Sequence, residues 1–168
     1  ESEPKPDFEA VVKRSRAVAD GMSKGVQFLF KKNKIDLIAG FGKIAKGKKV
    51  QVTDAEGKTV DYEADHIILA TGARSRELPN LKIDRKKIIG YREAMSMPSL
   101  PSSMVVVGSG AIGSEFANFY RSMGTDVTLV EYLPRILPLE DEEVSRTVER
   151  AFKKIKMKIM TGSSVTRV

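Results

Sequence analysis

The chain has no cysteine and only one histidine in 168 residues. Without cysteine there is no disulfide, no thiolate metal site and no thiol chemistry by its own side chains. The single histidine, His66, has no carboxylate or cysteine set around it in sequence. It reads as a structural strand residue, because functional histidines usually come with partners. No residue is assigned a catalytic role and none a metal. No apolar run approaches the ~20 residues that a membrane span needs. The N-terminal ESEPKPDFEA is acidic and proline-broken, unlike the basic-then-apolar start of a secretory signal. The expected location is the cytoplasm, with no membrane partner.

An apolar share of 41% and a charged share of 30% are ordinary for a globular chain. The net charge of +7 invites a nucleic-acid reading. Most of the excess lies in residues 1–100, at Lys31, Lys32, Lys34, Lys46, Lys48, Lys49 and Arg85 to Lys87. These sit in turns and helix ends, and no aromatic residues are interleaved to stack on bases. The charge therefore reads as a solvated surface, with no nucleic-acid partner expected.

The chain is organised around Met104 to Glu131, MVVVGSGAIGSEFANFYRSMGTDVTLVE. Val105, Val106 and Val107 form an apolar β-branched run suited to a buried strand. Gly108, Gly110 and Gly113 follow at G-x-G-x-x-G spacing and lead into a helical pattern carrying Phe116, Phe119, Tyr120 and Met123. A second strand, Val127 to Val130, ends on Glu131. Strand, glycine turn, helix, strand and acid together form the dinucleotide-binding fingerprint in its required context. Gly108 permits the tight turn, Gly110 lets backbone approach a pyrophosphate, and Gly113 lets the helix lie close on the strand. The helix N-terminus offers free N–H groups to the phosphates. Glu131 can accept hydrogen bonds from both ribose hydroxyls of an adenosine and would repel a 2′-phosphate, so the site reads as NAD rather than NADP. Arg135 is the nearby cation that weighs the other way.

Elsewhere, Pro4 and Pro6 keep the first residues extended. From Phe8 to about Lys32 a long helix is predicted, with Val11, Ser15, Val18, Met22, Val26 and Leu29 as one stripe. Gly21 and Gly25 inside it imply some compensating close packing. Ile35 to Ile44, Val50 to Thr53 and Thr59 to Tyr62 are predicted strands of a small antiparallel meander. Asp65 to Leu69 reads as a buried strand running into Ala70-Thr71-Gly72-Ala73, with a short strand at Ile88-Ile89. Pro98 to Pro101 reads as a linker, which places a domain boundary near residue 98. Beyond Glu131, a second helix starts at Asp141 with an acidic first turn and a basic end, and Met157 to Met160 is a third strand. The expected fold class is α/β: two incomplete Rossmann-like units, residues 1–98 holding a long helix and a meander, and residues 99–168 a β-α-β-α-β half.

ILATGAR (Ile68 to Arg74), followed some thirty residues later by VVVGSGAIGSEFA, resembles the two-dinucleotide-fold flavoprotein disulfide reductases. The likeness is greatest to the dihydrolipoamide dehydrogenases, through GAIGSEF, Glu131-Tyr-Leu-Pro, LPLEDEEVS, GFGKI and RSRAVADGMSKGVQFL. The resemblance implies FAD, NAD and a redox-active cysteine pair, with dihydrolipoamide oxidised through the flavin by NAD. It implies that Gly108, Ser109, Gly110, Ala111, Ile112, Gly113, Ser114 and Glu115 hold NAD, with Ile112 and Glu115 toward the nicotinamide–flavin stack. Glu131 would meet the adenosine ribose and Val165 the adenine. Ala70, Thr71, Gly72 and Ala73 would pack against FAD, with Gly42 near its adenine. Residues 1–98 would then be part of the FAD-binding domain and 99–168 the first half of the NAD-binding domain. The implied partners of the parent are a second copy, in a homodimer, and the lipoyl-bearing 2-oxoacid dehydrogenase complex.

The family's first glycine-rich motif, its cysteine pair and its His–Glu base are not among these residues. The chain is therefore expected to be an internal fragment, inactive alone and prone to non-native self-association through uncovered edges and faces. Two alternatives stand beside this reading. One is another flavin disulfide reductase, of the mercuric or glutathione reductase kind; the other is a stand-alone, non-catalytic NAD-binding module.

Overall fold

A computed structural model describes residues 5–167. Along them run α1 (Phe8–Lys32), β1 (Phe41–Ala45), β2 (Lys49–Thr53), β3 (Thr59–Glu63), α2 (Tyr91–Ala94), β4 (Ser103–Val107), α3 (Ala111–Met123), β5 (Asp126–Val130), α4 (Glu142–Lys154) and β6 (Lys158–Met160). The chain divides into two compact units. One holds the described residues up to Arg16 together with Ser75 onward, and the other holds Ala17–Arg74. This division follows other lines than the boundary near residue 98. The reason is packing around α3: the Phe8 ring lies 6.2 Å from Phe119 and 5.9 Å from Tyr120, and Ala94 and Met97 rest on the same core.

The larger unit contains the expected β-α-β-α-β run. β4, β5 and β6 form a parallel sheet in that order, with Val106 opposite Leu129 and Leu129 opposite Ile159. Side chains alternate across a strand, so Met104, Val106, Val127, Leu129 and Ile159 share one face. That face packs with Ala117 and Tyr120 of α3 and Phe152 of α4, because successive crossovers of one hand place both helices on one side. On the opposite face Val130 is buried, but Val105 is 61% and Val107 41% exposed, although parallel sheets are ordinarily covered on both sides. α3 ends on Gly124, whose φ of 110° gives the left-handed C-cap. Asp141 caps α4 through the Glu143 N–H at 2.8 Å, as the acidic start of that helix led one to expect.

In the smaller unit, β1, β2 and β3 form the predicted antiparallel meander. Ile44, Val50, Val52, Val60 and Tyr62 share one face, and Lys43, Gln51 and Asp61 the other. Thr53 and Thr59 hydroxyls pair across the strands at 2.9 Å, and Lys49 meets Glu63 at 2.9 Å. Glu63 holds the Lys49 ammonium above its usual range, first by its hydrogen bond and then by its charge. The turn between β2 and β3 is shaped by Asp54, whose carboxylate accepts from the Glu56 and Lys58 N–H groups.

α1 spans the residues expected, and its first turn is capped by Asp7, which accepts from the Ala10 N–H at 3.0 Å. Phe8 at its start is buried, but of its stripe Val11, Val18, Met22, Val26 and Leu29 are exposed and Ser15 is half-buried. Among the described residues nothing lies within 4 Å of a Cβ placed at Gly21 or Gly25, so the close packing predicted there is not found. Residues 65–69 form no strand either: Ile68 is 90% and Leu69 67% exposed. Strand pattern becomes strand only through a ladder with a neighbour, and no neighbour pairs with this run among the described residues. His66 accordingly sits exposed in irregular backbone rather than in a strand. Ile88-Ile89 is a loop as well. The Asp84 carboxylate accepts from the Lys86, Lys87 and Ile88 N–H groups at 2.8–2.9 Å, so the Ile88 donor is taken within the loop.

Candidate functional site

The glycine turn begins where β4 ends. The Gly108 N–H donates to Val130 O at 2.8 Å, which ties the turn to the end of β5. Gly108 has φ +99°, a left-handed conformation that a side chain would strain. The chain then reverses into α3 so tightly that a Cβ on Gly113 would lie 2.0 Å from Gly108 O. Gly110 differs: nothing lies within 4 Å of where its Cβ would be, so the turn has a bare backbone facing open space. Gly110 is also the N-cap of α3 and provides no side-chain cap. The first N–H groups of the 13-residue helix are left for water or an anion. Ala111, Ile112 and Glu115 are exposed on this first turn, while Ser114 is buried and its hydroxyl donates to Ser109 O at 3.0 Å.

Glu131 closes the other side. It is 7% exposed, and its Oε2 accepts from both the Ser109 N–H at 2.8 Å and the Ser109 hydroxyl at 2.7 Å. Its Oε1 accepts from the Leu133 N–H at 2.9 Å. Burial alone would raise the carboxyl's pKa. The bonds from Leu133, the Ser109 hydroxyl and N–H, and the Tyr132 N–H outweigh it, so Glu131 is held below its ordinary range and is ionised near neutrality. Its backbone is fixed too, with its N–H on Met160 O at 2.8 Å and its carbonyl accepting from the Ser163 N–H at 2.9 Å. The connection after β5 folds back onto the turn, where the Leu137 N–H donates to Ser109 O at 3.0 Å.

These contacts bring Gly108 to Glu115 and Glu131 together around one turn. Val165 lies two residues beyond Ser163, half-buried, with its carbonyl accepting from Asn80 Nδ2 at 2.7 Å. Nη2 of the Arg135 guanidinium is engaged on Pro138 O and Glu140 O, both at 3.1 Å. Gly42, Ala70, Thr71, Gly72 and Ala73 belong to the smaller unit. Gly42 lies in β1, where a Cβ would make only an ordinary 3.6 Å contact with Val50. Ala70 to Ala73 are exposed and irregular, and Gly72 has φ +72°. Sequence reasoning missed the Ser109 hydroxyl and the closing Leu137 bond. The glycine spacing leaves the intervening residues unspecified, and only the hydroxyl itself hinted at a role for Ser109.

Bare Gly110, an uncapped helix start and a buried acid at the next strand's end give the geometry of a Rossmann-like dinucleotide site. The chain belongs to the pyridine nucleotide-disulphide oxidoreductase family, which it matches over residues 2–168. It is 47% identical to a dihydrolipoyl dehydrogenase of Rhizobium etli over 98% of its own length and 37% of that protein's. With the dihydrolipoyl dehydrogenase of Zymomonas mobilis it shares 45% identity over 96% of its length and 35% of that protein's. Among solved structures it superposes on LpdA from Mycobacterium tuberculosis with a TM-score of 0.88 at 27% identity, covering 98% of this chain and 37% of that one. The chain thus spans a little over a third of the relatives it matches.

Proposed function

We propose that this chain supplies the NAD-binding turn, and part of the flavin-binding domain, of an enzyme that oxidises dihydrolipoamide with NAD. In this reading residues 1–98 belong to the FAD-binding domain and 99–168 begin the NAD-binding domain. The observation that carries it is the arrangement of bare Gly110 beside the uncapped start of α3, with the ionised Glu131 at the same turn. NAD, when bound, supplies the hydride-accepting nicotinamide. The chain's own residues then have positional work. The backbone of Gly108 to Gly113 admits the pyrophosphate, and the α3 N-terminus balances its charge. Glu131 receives the adenosine ribose and Val165 borders the adenine. Ile112 and Glu115 reach toward the nicotinamide. Gly42 and Ala70 to Ala73 are the residues that would back the FAD. With no cysteine, the chain's side chains cannot carry the thiol step, so it is inactive alone.

The same reading implies that the parent enzyme works in the cytoplasm, as a homodimer serving a lipoyl-bearing 2-oxoacid dehydrogenase complex. The open sheet face at Val105 and Val107 favours self-association of this chain when isolated. Light scattering should show mass rising with concentration, and a strict monomer at high concentration would refute it.

Isothermal titration tests the site. NAD should bind the wild-type chain at least about tenfold more tightly than NADP, because a 2′-phosphate would meet the Glu131 carboxylate. Gly110→Ala should weaken NAD about tenfold or more. Its stability should change little, since the added Cβ meets open space. Equal NAD affinity in the two proteins would remove the glycine turn from the pyrophosphate role.

A further inference from the structure

We propose that the Ser109 hydroxyl is a place-holder for a ribose hydroxyl: it occupies the Glu131 acceptor position that a bound dinucleotide takes over. This rests on the reading of the turn as an NAD site. A carboxylate offers about four acceptor positions. At Glu131 the Ser109 N–H and hydroxyl both fall on Oε2, at 2.8 and 2.7 Å, and the Leu133 N–H falls on Oε1 at 2.9 Å. The acid at the end of β5 therefore has three of these positions filled before any ligand arrives, both of the Ser109 bonds on one oxygen.

Two of these three donors are backbone N–H groups, and the backbone cannot release them cheaply. Gly108 is tied to Val130 O, and Ser109 O holds both the Leu137 N–H and the Ser114 hydroxyl. Residue 131 is pinned to Met160 and Ser163. The Ser109 hydroxyl alone hangs on a single side-chain torsion. Rotation about χ1 moves it off Oε2 without disturbing the turn. An incoming ribose hydroxyl then replaces it like for like, one O–H donor to the same carboxylate oxygen for another. Wild-type affinity consequently carries the loss of the serine's own bond, which is charge-assisted and among the stronger kinds.

The test is titration of NAD, and of an NAD analogue lacking both adenosine-ribose hydroxyls, into wild type, Ser109→Ala and Ser109→Gly, with a thermal melt of each unliganded protein. Both variants should melt below wild type, having lost a bond to a buried carboxylate. Both should nevertheless bind NAD about three- to tenfold more tightly, because the acceptor is already open. The analogue should bind all three proteins alike, since it brings no hydroxyl to the vacated position. A serine that served only as a brace would lower stability and leave NAD affinity unchanged or weaker, and that result overturns the proposal. Failure of both variants to fold would do the same. If wild type binds NAD and Gly110→Ala does not, yet the Ser109 variants bind no more tightly, the place-holder falls and the NAD reading stands. No NAD binding by wild type or by either Ser109 variant would overturn both.

Discussion

Gly113→Ala should cost the glycine-turn unit about 3–4 kcal/mol or more, read as a fall in the urea midpoint of its unfolding. The added Cβ would lie 2.0 Å from Gly108 O, a distance no real Cβ tolerates, and a tight 3.1 Å from Gly108 C. Both obstacles are backbone, so no side-chain rotation relieves them. α3 must move away from β4, or the turn must open, and either movement separates Ala117 and Tyr120 from Val127 and Leu129 in the core. Domains are stable by only some 5–15 kcal/mol, so a loss of this size threatens folding itself. Helix propensity alone would favour alanine by up to ~1 kcal/mol, and the steric term has the opposite sign and exceeds it. A loss below about 1 kcal/mol would mean that α3 slides freely on the sheet. The three glycines thus answer to different demands: conformation at Gly108, access at Gly110 and contact at Gly113.

What could be read from the sequence was what is local. The three- and four-residue stripe of α1 spans Phe8 to Lys32 as predicted, and the Asp141 cap and the three parallel strands around Glu131 stand where their patterns place them. Chain neighbours decide the helix and the cap, and each of these strands pairs with the next strand along the chain. Residues 65–69 have as good a strand pattern as Val105 to Val107, yet no strand forms, because pairing depends on segments remote in sequence. The α1 stripe likewise marks the helix correctly, while the close packing expected at Gly21 and Gly25 does not form, since periodicity identifies a face and not what lies against it. At the site, spacing located the glycines and the acid. It did not reveal that Glu131 spends most of its acceptors on the turn itself, because that follows from how closely Ser109 and Leu133 are drawn in.

That satisfied carboxylate leads to the second large effect. Glu131→Gln should destabilise the unit by about 2–4 kcal/mol at neutral pH. An amide keeps one acceptor oxygen but turns an NH2 toward the donors on its other side. If the oxygen serves Ser109, the Leu133 N–H is left facing a donor in a site only 7% exposed; the reverse orientation orphans the Ser109 N–H. The serine hydroxyl can rotate to accept, whereas the backbone groups cannot. The pH dependence has a definite sign. Glu131 is held below its ordinary value of 4.5 in the folded chain, so its stabilisation is fully present above that value and is lost as pH falls through the folded pKa. The gap between wild type and Glu131→Gln should therefore be constant from about pH 6 upward and close progressively in acid below about pH 4.5. Urea midpoints measured across that range decide the matter. A gap independent of pH would mean that the folded chain does not favour the ionised carboxylate. A gap that widened in acid would mean that burial, which opposes the charge, outweighs the N–H groups of Ser109, Tyr132 and Leu133.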